Sequence, residues 1–449
     1  MEQANVHGQR TLLDMNTYQW TVLLAAWLGW GFDIFDSLLM NYVAPTAVPT
    51  LLGIPIGTPE AQGATLWWTG VLTSTLLVGW CLGGIIFGKV CDRIGRTKTL
   101  LLTMLMYSVG TAACAFAPNI WALLLFRVLS SLGIGGEWAA GAAMVAEVVP
   151  ENRRVEAGAL LYTASPAGLF LATLVTYQVT GVYFTDPSVS WRYVFLFGLL
   201  PAAVAFFVRL FIKEPERWKK VAHEHRAKIS ELFSPKYRAL TISGFCVAVT
   251  ALITWWSGNA FIPVVAKGLA AREWTTLTNA GASGLPSMEI MGQQWIRNAT
   301  NIFNLGGLIG TLLIIPAAKL LGRKKMFFLY FLGSALSLMA AFGLDLDPHT
   351  RLYMYFAIGV TTYGIFGAFT FYLPELFPTR LRGTGSGFTY NVGRLVAAFG
   401  PFLVGSIAAA GANALTSAMN VLFWVGIIPV IGIFLLPLVI ETKGRELSD

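Results

Sequence analysis

The sequence predicts an all-α membrane protein: twelve transmembrane helices in two pseudo-symmetric six-helix bundles. Three observations predict it. The chain is 55% hydrophobic and only 12% charged, with a mean hydropathy of +0.64, about half the charge fraction of a soluble domain. Apolar runs of about 20 residues, each long enough to cross a bilayer as a helix, recur along its 449 residues. Its basic residues fall in alternate loops.

The apolar runs lie at about 18–46, 65–88, 98–117, 119–146, 154–183, 191–212, 238–262, 295–319, 325–344, 351–374, 384–409 and 415–440. The fourth, fifth and eleventh are interrupted by Gly, Ser and Pro, which spanning helices tolerate where they face protein or a cavity. Lys89, Arg93, Arg96 and Lys98 fill the loop after the second run, and Arg153 and Arg154 the loop after the fourth. Lys319, Arg323, Lys324 and Lys325, then Arg380 and Arg382, then Lys443 and Arg445 follow on the same side. The opposite loops carry Arg192, Lys267, Arg272 and Arg351. A cation excess marks the cytoplasmic side, so both termini are expected in the cytoplasm and the protein in the plasma membrane (the inner membrane of a bacterium). The net charge of +8 is then topological and does not point to nucleic acid. Residues 1–17 are polar, with no cleavable signal, so the first span serves for insertion. Cys81, Cys91, Cys114 and Cys246 form neither a metal-ligand spacing nor a disulfide framework. No nucleophile–base constellation or phosphate-binding loop is evident, so neither an enzyme nor a cofactor is expected.

A basic, polar segment at 213–237, with an amphipathic helix expected around Arg217–Phe233, divides the chain into bundles at 1–212 and 238–449. Internal repetition supports the division. Gly95-Arg96 returns as Gly322-Arg323, and Glu147-x-x-Pro150-x-x-x-Arg154 as Glu375-x-x-Pro378-x-x-x-Arg382, each about 227 residues further on.

Charged side chains inside spans mark candidate functional residues, because each costs about 2.5–3.5 kcal/mol on insertion scales. Asp33 and Asp36 are three apart in the first run and share a helix face. Two carboxylates in a poorly hydrated cavity resist being ionised together, which suits a reversible proton carrier; the alternative is an acid permanently paired to an Arg. Arg127 in the fourth run is a fixed positive charge that can pair with Asp33 when that acid is ionised. Glu137, deeper in the same run, is a second titrating site or a partner of Trp138 and nearby hydroxyls. Arg394 lies about 16 Å into the eleventh run, with Tyr390 and Asn391 on its face. No acid in the second half's runs is evident to neutralise it. It either takes a substrate carboxylate, for which its fork is suited, or pairs with a first-half acid or helix carbonyls. Arg297 is a second anion contact or an outer interfacial anchor. The seventh run has Trp255-Trp256-Ser-Gly-Asn259 where the first has Trp30-Gly-Phe-Asp33, so proton work falls to the first half and substrate polarity, Asn259 included, to the second.

The string Gly84-x3-Gly88-x3-Asp92-Arg93-x-Gly95-Arg96, set between two spans, resembles the loop between helices 2 and 3 of the major facilitator superfamily of transporters. The resemblance implies that fold, with this loop as a conformational latch and Glu147, Arg154, Glu375 and Arg382 as a charge relay at the cytoplasmic ends. Lys319 stands where the first half has Asp92, so the second latch lacks its acid. The closing Ile-Glu441-Thr-Lys-Gly-Arg resembles the tail of the sugar and organic-ion branches. Asp33-x-Phe-Asp36, Gly-Ile-Gly-Gly-Glu137-Trp and Asn391-Val-Gly-Arg394 together resemble the sialate and monocarboxylate proton symporters, close to the aromatic-acid proton symporters. That likeness implies symport of a small organic anion with protons by alternating access; the protein is expected to function as a monomer. A sugar or polyol porter is the alternative, and a non-transporting membrane sensor a further one.

Overall fold

The apolar runs form long helices. In the computed structural model, which describes residues 15–94, 96–149, 154–199, 203–204, 228–378 and 381–444, the first helix is Thr17–Leu52. Asn16 and Gln19 close a reciprocal capping box at its start, and Gly53 at φ 70° ends it. It passes through Pro45 and Pro49 and so runs beyond the expected end at residue 46. The second, third and fourth helices are Pro59–Ile94, Arg96–Cys114 and Ile120–Val148. The fifth span is Arg154–Tyr162 and Ala164–Tyr177 followed by a π turn at Gln178–Tyr183. Of the sixth, Ser190–Phe197 is a described helix. Among the described residues nine helices are long and apolar enough to cross a membrane, with shorter apolar helices at Leu101–Cys114 and Ile120–Gly135.

The segment expected as an amphipathic helix around Arg217–Phe233 lies largely outside the described residues; its end is a short 3-10 turn at Ile229–Phe233. The seventh span, Arg238–Asn259, ends close to the expected residue 262, but a helix and not a loop comes next. A second helix, Ile262–Asn279, follows at once. Pro263 sits in its first turn, where the missing N–H costs nothing and the fixed φ favours a helix.

Met288–Leu321 and Arg323–Gly343 form the eighth and ninth spans. The tenth is irregular: α-helix at Pro348–Ile358, π at Gly359–Tyr363, 3-10 at Gly364–Ala368 and α-helix at Phe369–Leu376. Glycines explain it. A methyl group on Gly306, Gly310 or Gly359 would collide with the backbone carbonyl of Phe356, Val360 or Phe303, respectively. The eighth and tenth spans therefore touch backbone to backbone, as small residues allow in membranes, and the tenth leaves regular α geometry along that contact. Arg382–Ala397 with Phe399–Ala409 forms the eleventh span, and Ala414–Val425 with Ile427–Leu435 the twelfth.

The halves meet through the second and eleventh spans and through the fifth and eighth. At the end away from the basic loops a methyl group on Gly70 would lie 2.6 Å from the Pro401 carbonyl oxygen, and one on Gly405 2.6 Å from that of Leu66. Deeper in, Ser74 donates to the Ala398 carbonyl at 2.5 Å. Thr173 donates to Thr300, and Thr180 to Gln293, each at 3.1 Å. One buried core carries residues of both halves, including Trp30, Trp80, Tyr162, Trp255, Trp256 and Tyr363.

Candidate functional site

Among the described residues two charge centres lie inside the spans. The first is built on Asp36, 1% exposed. Thr111 on the third span donates to one carboxylate oxygen at 2.6 Å, and Ser130 on the fourth to the other at 2.9 Å. Arg127, one turn before Ser130 and 2% exposed, places Nη1 3.8 Å from Asp36 Oδ2. Its guanidinium also donates to the main-chain carbonyls of Asp36 and Ser37 at 3.4 and 2.9 Å. Both carboxylate oxygens accept. Arg127 was expected opposite Asp33; the acid within ion-pair distance is Asp36, because the first span turns Asp36 towards the third and fourth. Asp33 is fully buried, one turn away. The side chain of Glu137 lies outside the described residues.

The second centre is Arg394, 2% exposed. Its guanidinium carbon lies 4.1 Å from the ring centroid of Trp80, on the second span, and 4.8 Å from that of Tyr390. Nη1 donates to Asn391 Oδ1 at 3.0 Å. Among the described residues no carboxylate lies within ion-pair distance of it. The predicted trio Tyr390, Asn391 and Arg394 is thus brought together. Trp80, which the sequence reading passed over, joins it from the other half.

Aromatic rings continue from this centre. Trp80 lies 6.2 Å from Trp30 and 6.1 Å from Trp256 across the interface. Tyr162 lies 6.3 Å from Tyr363 and stacks on Phe366 at 6.2 Å. The Tyr363 hydroxyl donates to Ser165 of the other half at 2.6 Å.

Two predicted contacts stand apart. Arg297 sits over Tyr177 at 4.2 Å and bonds Asn298 at 3.2 Å, near the end away from the basic loops. Asn259 closes the seventh helix and lines a small cavity with Thr254, Trp255, Phe303 and Thr362.

Close helix approach at this end of the second span is made at Gly83 and not at Gly84. A methyl group on Gly83 or Gly135 would collide with the carbonyl of Leu132 or Trp80, whereas one on Gly84 would meet Gly135 and Asn391 at ordinary contact distances of 3.4 and 3.6 Å. Gly88 falls within the second helix, and its surroundings and the side chains of Asp92, Arg93, Arg96, Glu147 and Arg154 lie outside what is described. At the basic end of the second half, Glu375 binds Arg323 in a fork at 2.7 and 3.1 Å and accepts from Thr442 at 2.6 Å. Arg382, its expected relay partner, donates to the Pro374 carbonyl at 3.2 Å. The loop after Lys319 meets two acids, Glu375 and Glu441 of the tail. Glu441 accepts from the backbone N–H of Arg323, Lys324 and Lys443 at 2.9, 3.0 and 2.9 Å. Partial burial pushes its carboxyl up, but these donors outweigh that and hold it below the usual range.

The arrangement offers a buried acid set beside a fixed cation, and a second cation facing aromatic rings and a neutral amide. The profile of the Major Facilitator Superfamily matches residues 26–401. A Haemophilus influenzae protein described as a metabolite transport protein is 30% identical, over 97% of this chain and 99% of its own. The gentisate transporter of Corynebacterium glutamicum is 26% identical, over 86% of this chain and 81% of its own. A crystal structure of a D-xylose-proton symporter superposes with a TM-score of 0.73 at 18% identity, covering 96% of this chain and 100% of that one. The chain, a multi-pass membrane transporter and not an enzyme, belongs to the Major Facilitator Superfamily.

Proposed function

We propose that the protein is a secondary transporter that moves a small organic anion, a carboxylate, together with protons by alternating access. The observation that carries this reading is Arg394: a guanidinium buried in the membrane interior whose described partners are two rings and an amide. A fixed cation held without a carboxylate in apolar surroundings invites one from the substrate. Tyr390 and Asn391 orient it. The gentisate transporter's name supports a carboxylate cargo; the likeness to the xylose symporter shows the fold alone.

Protons are carried by the first half. Asp36 is clamped by Arg127, Thr111 and Ser130, and Asp33 stands one turn away. Protonating either acid changes the charge that Arg127 faces, which ties proton occupancy to the position of the first span. Glu137 belongs to the same set. Arg297 works at the outer mouth, and Asn259 lines the second half's cavity. Gly84, Gly88, Asp92, Arg93, Arg96, Glu147, Arg154, Glu375 and Arg382 gate the basic end. The halves are residues 1–212 and 238–449, joined by 213–237, with both termini in the cytoplasm of a cell whose plasma membrane holds the protein as a monomer.

Uptake of labelled carboxylates into proteoliposomes tests the reading. An inward proton gradient is expected to drive accumulation, and Asp33→Asn to abolish it. Accumulation that survives in that variant contradicts the assignment of Asp33; competition by sugars and not by carboxylates contradicts the cargo.

A further inference from the structure

We propose that Asn304 and Tyr42 form a neutral polar subsite that binds a hydroxyl or carbonyl group at the end of the substrate away from its carboxylate. The inference rests on the reading that Arg394 holds that carboxylate.

Asn304 lies at the middle of the helix Met288–Leu321 and is 0% exposed. Neither its amide nitrogen nor its amide oxygen has a hydrogen-bond partner. Buried amides are nearly always bonded, and a leucine of the same size would avoid the cost of burying this one. Tyr42, on the first span and 2% exposed, also has an unpartnered hydroxyl. That hydroxyl lies near Thr173 and Asn304 but makes no aligned hydrogen bond with either. Thr173 directs its own proton elsewhere, towards Leu169 and Thr300. The two open groups therefore converge from opposite halves of the protein, where a bound molecule touches both.

Their chemistry selects the ligand group. An amide offers two donors and an acceptor, and a phenol one of each, so a hydroxyl or carbonyl is served in either direction. Among the described residues neither group has a charged partner, which favours a neutral group over a second carboxylate.

Their position selects its shape. At 1.5 Å per residue, Arg394 lies about 18 Å along its helix from Arg382, and Asn304 about 25 Å along its own from Leu321. The first helix begins at the basic end with Arg382 and the second finishes there with Leu321, so the two sites are offset by about 7 Å. The ring pair Tyr162–Tyr363 belongs to the aromatic wall that links them. A flat ring acid with a hydroxyl opposite its carboxylate fits that offset; one with the hydroxyl beside the carboxylate does not.

Binding of benzoate, 2-hydroxybenzoate and 4-hydroxybenzoate to the purified full-length protein tests the proposal, with Asn304→Leu and Tyr42→Phe compared. The wild type is expected to bind 4-hydroxybenzoate about tenfold more tightly than the other two. Asn304→Leu should erase that preference and leave the benzoate affinity unchanged; Tyr42→Phe, which removes one oxygen and keeps the ring, should reduce it about threefold. Equal affinity of the wild type for all three acids, or an undiminished preference in both variants, overturns the subsite and leaves the carboxylate reading standing. A wild type that binds none of the three acids but binds a neutral polyol overturns the carboxylate reading itself, and this subsite with it.

Discussion

The guanidinium of Arg394 rests 4.1 Å from the ring centroid of Trp80. One belongs to the eleventh span and the other to the second, so the contact joins the two halves at the second charge centre. A desolvated contact of this kind contributes about 2 kcal/mol. It holds the cation in place without cancelling its charge, which leaves that charge for an anion.

Arg394→Lys keeps the charge and loses the planar fork. Substrate affinity is expected to fall at least about tenfold, while the melting temperature of the empty protein changes little. Titration of both proteins with the best-bound carboxylate measures it. Unchanged affinity would place the carboxylate elsewhere.

Asp36→Asn leaves Arg127 buried beside a neutral amide. Removing one partner of a buried pair costs about 3–5 kcal/mol, so a clear drop in melting temperature is expected. Arg127→Met in the same chain should recover most of the stability, since the two side chains form one unit. Gradient-driven uptake should stay lost in both. Recovered transport in the double variant would show that the pair serves packing alone.

Gly70→Trp puts a ring where a methyl group would already meet the Pro401 carbonyl at 2.6 Å. The end away from the basic loops can then no longer close. Net transport is expected to fall to background while substrate still protects the protein against heat. Wild-type uptake would mean that this contact is not made during the cycle.

Glu441→Gln weakens three charge-assisted backbone bonds to Arg323, Lys324 and Lys443. The group is partly exposed, so the loss is about 1 kcal/mol. The folded-state carboxyl sits below its ordinary value. Its contribution is therefore complete above the unfolded value, about 4.3, and is lost as the pH falls through the lower folded value. The stability gap between wild type and variant, measured by thermal melts, should be constant near neutrality and close only below about pH 4. A gap that closes at higher pH contradicts the account.

Much of this architecture is legible in the sequence because a bilayer imposes one rule, an apolar run of fixed length, and the chain obeys it. What escapes the rule comes from tertiary packing. The π and 3-10 turns of the tenth span arise against Gly306 and Gly310 of the eighth, which a reading of one run at a time cannot see. The helix Ile262–Asn279, with Pro263 in its first turn, lies beyond the run expected at 238–262 and is too polar towards its end to extend it. Charged residues announced both centres, since their cost inside a span is large. Their partners did not: Asp36 and Asp33 share a face, and only the placement of Thr111 and Ser130 chooses between them. A signal was present in Ser130, one turn from Arg127. Asn304 and Tyr42 carried none, because neutral polar residues are common in such runs.

The central claim is that an organic anion and a proton cross together, the proton served by Asp33, Asp36 and Arg127 and the anion by Arg394. The most direct measurement is external pH in lightly buffered proteoliposomes on addition of the bound carboxylate, with no preset gradient. The account predicts alkalinisation that tracks anion uptake in the wild type and vanishes with Asp33→Asn and with Arg394→Ala. Anion uptake with no accompanying pH change in the wild type would contradict it.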